Sequence, residues 1–332
     1  IPITFDAVVI GSLIAGVLLQ LFPNARGSGI PQVKIAFALK SGRLRLRDAV
    51  AKFFIGILQI GTGSSLGREG PTVQICAGLA SSLGRLFALS PQNVRRLIPV
   101  GAAAGIAAAF NAPVAAVTFT TEEIVGDLDQ TVLSGVVVAA ALAAVIERTV
   151  LGEQPVFQIA KNYSLTHASS LIVYAALGVA SAFVSHLFNR SLLDTRAAFK
   201  RWSGAPAWLK PAVGALGTAA IACVAVGVLH TEGVTGGGYD TLDNALNGKL
   251  AAHVMLALCV CKLAATTFSY SSGGAGGIFA PALFVGGMLG GAFGFFDTWA
   301  LGHSDAATGA FVLVGMGAVF AGVIRAPITS FL

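Results

Sequence analysis

Apolar residues in this chain run on, rather than recurring at the period of a soluble helix face or strand. Seven stretches carry no Asp, Glu, Lys or Arg: Ala7–Phe22, Leu97–Thr120, Gln130–Ile146, Ala168–Ser185, Pro211–His230, Gly273–Phe296 and Ala306–Ile324. About 20 apolar residues cross a bilayer core as a helix, and fewer serve for a re-entrant piece. The pattern therefore predicts an all-α polytopic membrane protein. Gly and Pro interrupt several stretches, as in Gly101–Pro113 and Gly273–Pro281. Broken helices survive in lipid where they are buried in protein or line a cavity, so the interior is expected to hold half-helices.

Composition agrees. Of 332 residues, 55% are hydrophobic and 11% charged, against about 25% charged in a soluble domain. So few charges cannot cover a soluble surface of this size. That excludes a soluble globular enzyme, a disordered tail and a nucleic-acid binder. Lys and Arg exceed Asp and Glu by 21 to 15, a net charge of +6, and the excess is clustered. One group is Lys40, Arg43, Arg45 and Arg47; a second is Arg85, Arg95 and Arg96; a third is Arg190, Arg196, Lys200, Arg201 and Lys210. Basic loops of a membrane protein face the cytoplasm, which places all three groups on that side. Cys76, Cys223, Cys259 and Cys261 lie in apolar runs and read as small buried thiols.

The chain also repeats itself. The segment from Gly101 to Ala112-Pro113 resembles that from Gly315 to Ala326-Pro327, 214 residues later. Gly27-Ser28-Gly29 lines up with Gly236-Gly237-Gly238 at an offset of 209, and Pro71 with Pro281 at 210. Duplicated halves with breaks at matching positions point to a secondary-transporter architecture, in which the breaks meet near the midplane and build the site. The expected division is 1–150 and 151–332, two pseudo-symmetric repeats, with inversion inferred from the architecture class. Matching the halves leaves each without a counterpart at one end. The expectation is that a first helix before residue 1 and further helices after residue 332 are missing from this sequence.

Three segments place free backbone amides at helix starts: Gly27-Ser28-Gly29-Ile30-Pro31, Gly67-Arg68-Glu69-Gly70-Pro71 and Gly276-Gly277-Ile278-Phe279-Ala280-Pro281. Pro suits the first helical turn because its missing N–H costs nothing there. A helix N-terminus offers unpaired donors and about half a positive charge, and several aimed at one point hold an anion. Such binding is weak enough to release the ion, as conduction requires.

In this order, with Phe110-Asn111-Ala112-Pro113 and Thr121-Glu122-Glu123 between them, the three segments resemble the signature motifs of the CLC chloride channel and transporter family. The resemblance covers essentially the whole chain. It implies that Ser28 offers its hydroxyl to a central anion, which the backbone amides of Ile278 and Phe279 share. Gly29, Ile30 and Gly70 belong to the same anion-binding set. It implies that Glu69 is the gate and proton acceptor, its carboxylate competing with chloride until protonation lets it swing away. Glu123 matches the internal proton relay, and Arg68 and Lys52 give electrostatic support, unless Lys52 simply snorkels to the surface. Gln32 departs from a Glu frequent at its position, and the family's central tyrosine has no match in Tyr163, Tyr174, Tyr239 or Tyr270.

The function expected is chloride-for-proton exchange by an antiporter, with no cofactor beyond the two transported ions and with chloride, protons, membrane lipid and a second copy in a homodimer as partners. The location expected is a bacterial inner membrane. A passive chloride channel of the same family is the alternative, and Glu123 favours the antiporter. An intramembrane serine hydrolase built on Ser28 is the alternative from another class. It would need a base, and no spacing pairs His167, His186, His230, His253 or His303 with Ser28. Gly274-Ala275-Gly276-Gly277 lacks the strand–helix context of a dinucleotide site.

Overall fold

The computed structural model describes residues 2–126 (side chains from Phe5), 130–152, 157, 167–303 and 308–332. Tyr163 lies outside them. Among the described residues the chain is helical throughout, and its one β-type contact is an antiparallel bridge between Gly67 and Gly277.

The first half holds α1 (Pro2–Leu21), α2 (Ile30–Leu39), α3 (Leu46–Gly61), α4 (Glu69–Leu86), α5 (Pro91–Phe110), α6 (Pro113–Phe119) and α7 (Gln130–Leu151). The second holds α8 (Ser170–Arg201), α9 (Lys210–Leu229), α10 (Tyr239–Leu246), α11 (Ala252–Ser271), α12 (Phe279–Leu301), α13 (Thr308–Ile324) and α14 (Pro327–Phe331). Among the described residues, α7, α8, α9, α11 and α12 are long and apolar enough to cross a membrane. The expected half-helices are present: α2 has 10 residues, α6 seven, α10 eight and α14 five.

The breaks follow from local chemistry. At the ends of α5 and α13 the chain turns left-handed at Asn111 (φ 52°) and Arg325 (φ 65°). Ala-Pro follows in each case, and the proline opens the next helix at a first-turn position, where it loses no hydrogen bond. These two non-glycine residues stand 214 positions apart, so the repeat seen in sequence is also a repeat of backbone conformation.

Small residues set how closely the spans approach. A Cβ at Gly286 or Gly290 of α12 would strike the carbonyl oxygen of Gly315 or Phe311 on α13. Backbones this close are characteristic of membrane helix packing. Asp297, fully buried near the end of α12, accepts from Ser170 Oγ at 3.1 Å and lies 3.0 Å from His303 Nδ1. Hydroxyls also tie the halves together: Ser65 Oγ meets Thr266 Oγ1 at 2.9 Å, and Ser269 Oγ accepts from Ser65 N at 3.1 Å.

The first two basic groups meet in the fold. Arg85 Nη2 donates to Leu44 O at 2.7 Å, and a Cβ at Gly42 would sit 2.5 Å from Arg95 Cα. Glu69 begins α4 and Arg85 lies in its last turn, about 25 Å away at the α-helical rise. The gate candidate therefore stands far along α4 from the basic side.

Candidate functional site

Each of the three glycine-rich segments ends in a helix start, and the structure brings the starts together. Gly67 N donates to Gly277 O at 2.8 Å and Gly277 N to Gly67 O at 2.7 Å, joining the second segment to the third. Gly27 N donates to Gly274 O at 2.8 Å, joining the first segment to the turn just before the third. Gly70 packs on Ser28, where a Cβ would lie 2.5 Å from the Ser28 carbonyl oxygen. Gly29 takes φ 97° so that α2 can start at Ile30, a conformation an L side chain would resist. Ser28, Gly29, Ile30, Gly70, Ile278 and Phe279 thus surround one junction, with Ile278 as the N-cap of α12 and Phe279 as its first residue. The first-turn amides of α2, α4 and α12 have no intrahelical acceptors. Phe279 is packed edge-on by Phe119 at 5.3 Å and by Phe320 at 5.0 Å between ring centroids.

Glu69 is the first residue of α4 and is completely buried. Its Oε1 accepts from the hydroxyl of Tyr239, the first residue of α10. Its Oε2 is buried with no hydrogen-bond partner among the described residues. The carboxylate bends back over Gly67, where a Cβ would collide with Oε2. Arg68 is exposed, and its guanidinium lies 5.7 Å from the centre of the Tyr239 ring.

Lys52 does not snorkel. It is 0% exposed on α3, and its Nζ donates to Ala25 O at 2.9 Å and to Gly27 O. It therefore staples the turn that presents Ser28. Lys262 on α11, 210 positions later, is also 0% exposed. Its Nζ donates to Gly233 O at 2.9 Å, Val234 O at 3.2 Å and Gly236 O at 2.7 Å. That carbonyl-rich loop leads into Tyr239.

Glu123 lies away from this junction, on a π-helical turn (Thr120–Val125) that continues α6. Such turns are rare and recur at functional positions. Glu123 Oε1 pairs with Lys34 Nζ on α2 at 3.0 Å. Glu122 instead accepts from the backbone N–H groups of Ile328 at 3.1 Å and Thr329 at 3.0 Å, anchoring α14. Gln32 donates to Arg26 O at 2.7 Å. A glutamate carboxylate could not make that bond, so the departure at this position has a structural use.

Tyr239, Lys34 and Lys262 were not singled out from the sequence. For Lys262 the signal was available, because the repeat pairs it with Lys52. Tyr239 follows the second-half counterpart of Gly27-Ser28-Gly29, so its place was marked although its role was not. For Lys34 no pattern in the sequence pointed across to Glu123.

Broken helices from two repeats, converging on a buried polar junction with a sealed carboxylate, define a membrane ion transporter of the secondary-transporter type. The family model described as voltage gated chloride channel, Voltage_CLC, matches residues 11–332. This chain belongs to that family. It is 32% identical over 336 residues to the H(+)/Cl(-) exchange transporter ClcA of Citrobacter koseri, covering 99% of this chain and 69% of the relative. The ClcA of Salmonella arizonae matches with the same identity and coverage. Among solved structures, a slow cyanobacterial Cl-/H+ antiporter superposes with a TM-score of 0.85 at 26% identity, over 98% of this chain and 76% of the other. A CLC-type fluoride/proton antiporter shares the fold, with a TM-score of 0.80 at 23% identity over 99% of this chain and 80% of the other.

Proposed function

We propose that this protein exchanges chloride for protons across a bacterial inner membrane, with Glu69 as the shared element of both pathways. The observation that carries the reading is the meeting of three glycine-opened helix starts beside a fully buried glutamate. The relatives named H(+)/Cl(-) exchange transporters support antiport over passive conduction. Ser28 and the amides of Ile278 and Phe279 hold the anion. The backbone at Gly29, Ile30 and Gly70 shapes the same site. An ionised Glu69 occupies the first turn of α4 as a bound anion would. Protonation removes that attraction, frees the side chain and opens the place to chloride, so one carboxyl alternates between the two ions.

Glu123 passes the proton between Glu69 and the basic face. Its ion pair with Lys34 supports this placement, because α2 runs from Ile30 beside the anion junction to Leu39 beside the basic loop. Lys52 shapes the Ser28 turn and adds positive potential, while Arg68 acts at the outer approach. The two repeats are taken as 1–150 and 151–332, of inverted topology, and the working unit as a homodimer in lipid with one pathway in each subunit. No cofactor has a part in the scheme.

The test is coupled flux in liposomes. An imposed chloride gradient is expected to drive protons uphill in a stoichiometric exchange. Chloride movement without proton movement would select the channel reading.

A further inference from the structure

We propose that Tyr239 is a latch on the Glu69 gate, a positioning residue that holds the carboxylate seated and so sets how readily protonation opens the path. The inference rests on the antiport reading of that glutamate.

The phenol of Tyr239 donates to Glu69 Oε1, while Oε2 has no partner. Tyr239 therefore supplies the side-chain hydrogen bond seen on the gate carboxylate. The latch comes from the other half of the molecule, 170 residues away in sequence, so it joins the repeats across the site.

Its position is firmly built. Gly238 takes φ 79° to start α10, and a Cβ there would press on Phe284 of α12 and on Gly233 O. Lys262 clamps the preceding loop through the Gly233, Val234 and Gly236 carbonyls. Gly236 N donates to Gly63 O at 3.3 Å, tying the same loop to the segment that leads into Glu69. Phe157 lies 5.7 Å from the Tyr239 ring on one side, and Arg68 is 5.7 Å from its centre.

The chemistry follows from what each protonation state offers. An ionised carboxylate accepts the phenol hydrogen bond strongly, because charge-assisted bonds are the stronger kind. A neutral carboxyl accepts it weakly, so the latch favours the ionised, seated gate. The other charged groups bearing on this carboxylate are Lys262 from α11, within electrostatic reach, and Arg68 at the start of α4. Both are basic groups that act through space, whereas the latch is a neutral donor hydrogen-bonded to the carboxyl itself.

The test compares wild type with Tyr239→Phe in liposomes. The variant is expected to move chloride about tenfold faster at neutral pH, the factor that about 1.4 kcal/mol confers. Its pH profile should shift to higher pH, because less acid is needed to release the gate. In a Glu69→Gln background the same substitution should have no effect. A variant with wild-type turnover and an unshifted profile would overturn the latch while leaving antiport standing. Absence of chloride-driven proton movement in wild type would overturn antiport and the latch together. If Tyr239→Phe does not fold, 3-fluorotyrosine at position 239 keeps the shape and strengthens the donor. Slower turnover is then expected, and unchanged turnover overturns the proposal.

Discussion

The two glutamates with proposed proton roles sit in opposite settings. Glu69 is sealed from solvent and hydrogen-bonded to a neutral phenol. Glu123 is 20% exposed and paired with a lysine ammonium that is itself 45% exposed. A carboxylate in contact with an ammonium is held in place by it. One sealed in the interior is held here by a hydrogen bond from a neutral phenol, with no salt bridge to it among the described residues. The proposed gate is thus held by a single neutral group, and the proposed relay is positioned by a charged one. This division of labour is a property of their surroundings, since the two side chains are identical.

The sharpest way to break the comparison is Glu69→Gln. The neutral amide cannot alternate with chloride, so proton transport should fall to background and chloride flux should lose its dependence on pH. Paired proton and chloride electrodes on a liposome suspension read both. A surviving proton current would remove Glu69 from the proton path. Glu123→Gln should have a narrower effect: proton transport is lost while chloride flux keeps its response to pH, because the gate is intact. Loss of both fluxes would merge the two roles.

The scaffold beneath the comparison can be tested next. Lys52→Met keeps the volume and removes the donor, leaving Ala25 O and Gly27 O unpaired in the interior. Each orphaned buried acceptor costs about 1–3 kcal/mol, so the variant should lose roughly 2–6 kcal/mol of stability in total. Thermal melting in detergent would show it. Lys262→Met should behave alike, and a variant with an unchanged melting temperature would mean that water replaces the lysine.

These two lysines also explain what could be read from sequence. The long uncharged stretches found most of the spans, and Gly-Pro punctuation found the breaks, because hydrocarbon tolerates neither charge nor unpaired backbone. The same criterion passed over α3 and α11, since a lysine interrupts each and α3 also opens with Arg47 and Asp48. Both lysines are compatible with the interior because each donates to carbonyls of a glycine-rich turn, contacts that no local window contains. At the junction, Ser28, Glu69, Ile278 and Phe279 were legible because their segments have a local grammar of glycine, then helix, then proline. Tyr239 was not, because its contact joins residues 170 positions apart. The Lys34 pairing likewise spans 89 positions.

The smallest expected effect concerns that last pair. Lys34 and Glu123 are both partly solvated, and such pairs contribute about 0.2–1 kcal/mol. Lys34→Gln, Glu123→Gln and the double variant close a thermodynamic cycle in which the coupling should fall in that range and shrink with added potassium gluconate, as screening requires. The cycle separates two meanings of the contact. If Lys34 merely stabilises the fold, Lys34→Gln lowers the melting temperature slightly and leaves proton flux intact. If it fixes the relay carboxylate in the path, proton flux falls several-fold while chloride flux holds. The second outcome is expected, because Glu123 lies on a π-helical turn whose side-chain direction ordinary helix geometry does not fix, and among the described residues Lys34 is its one salt-bridge partner.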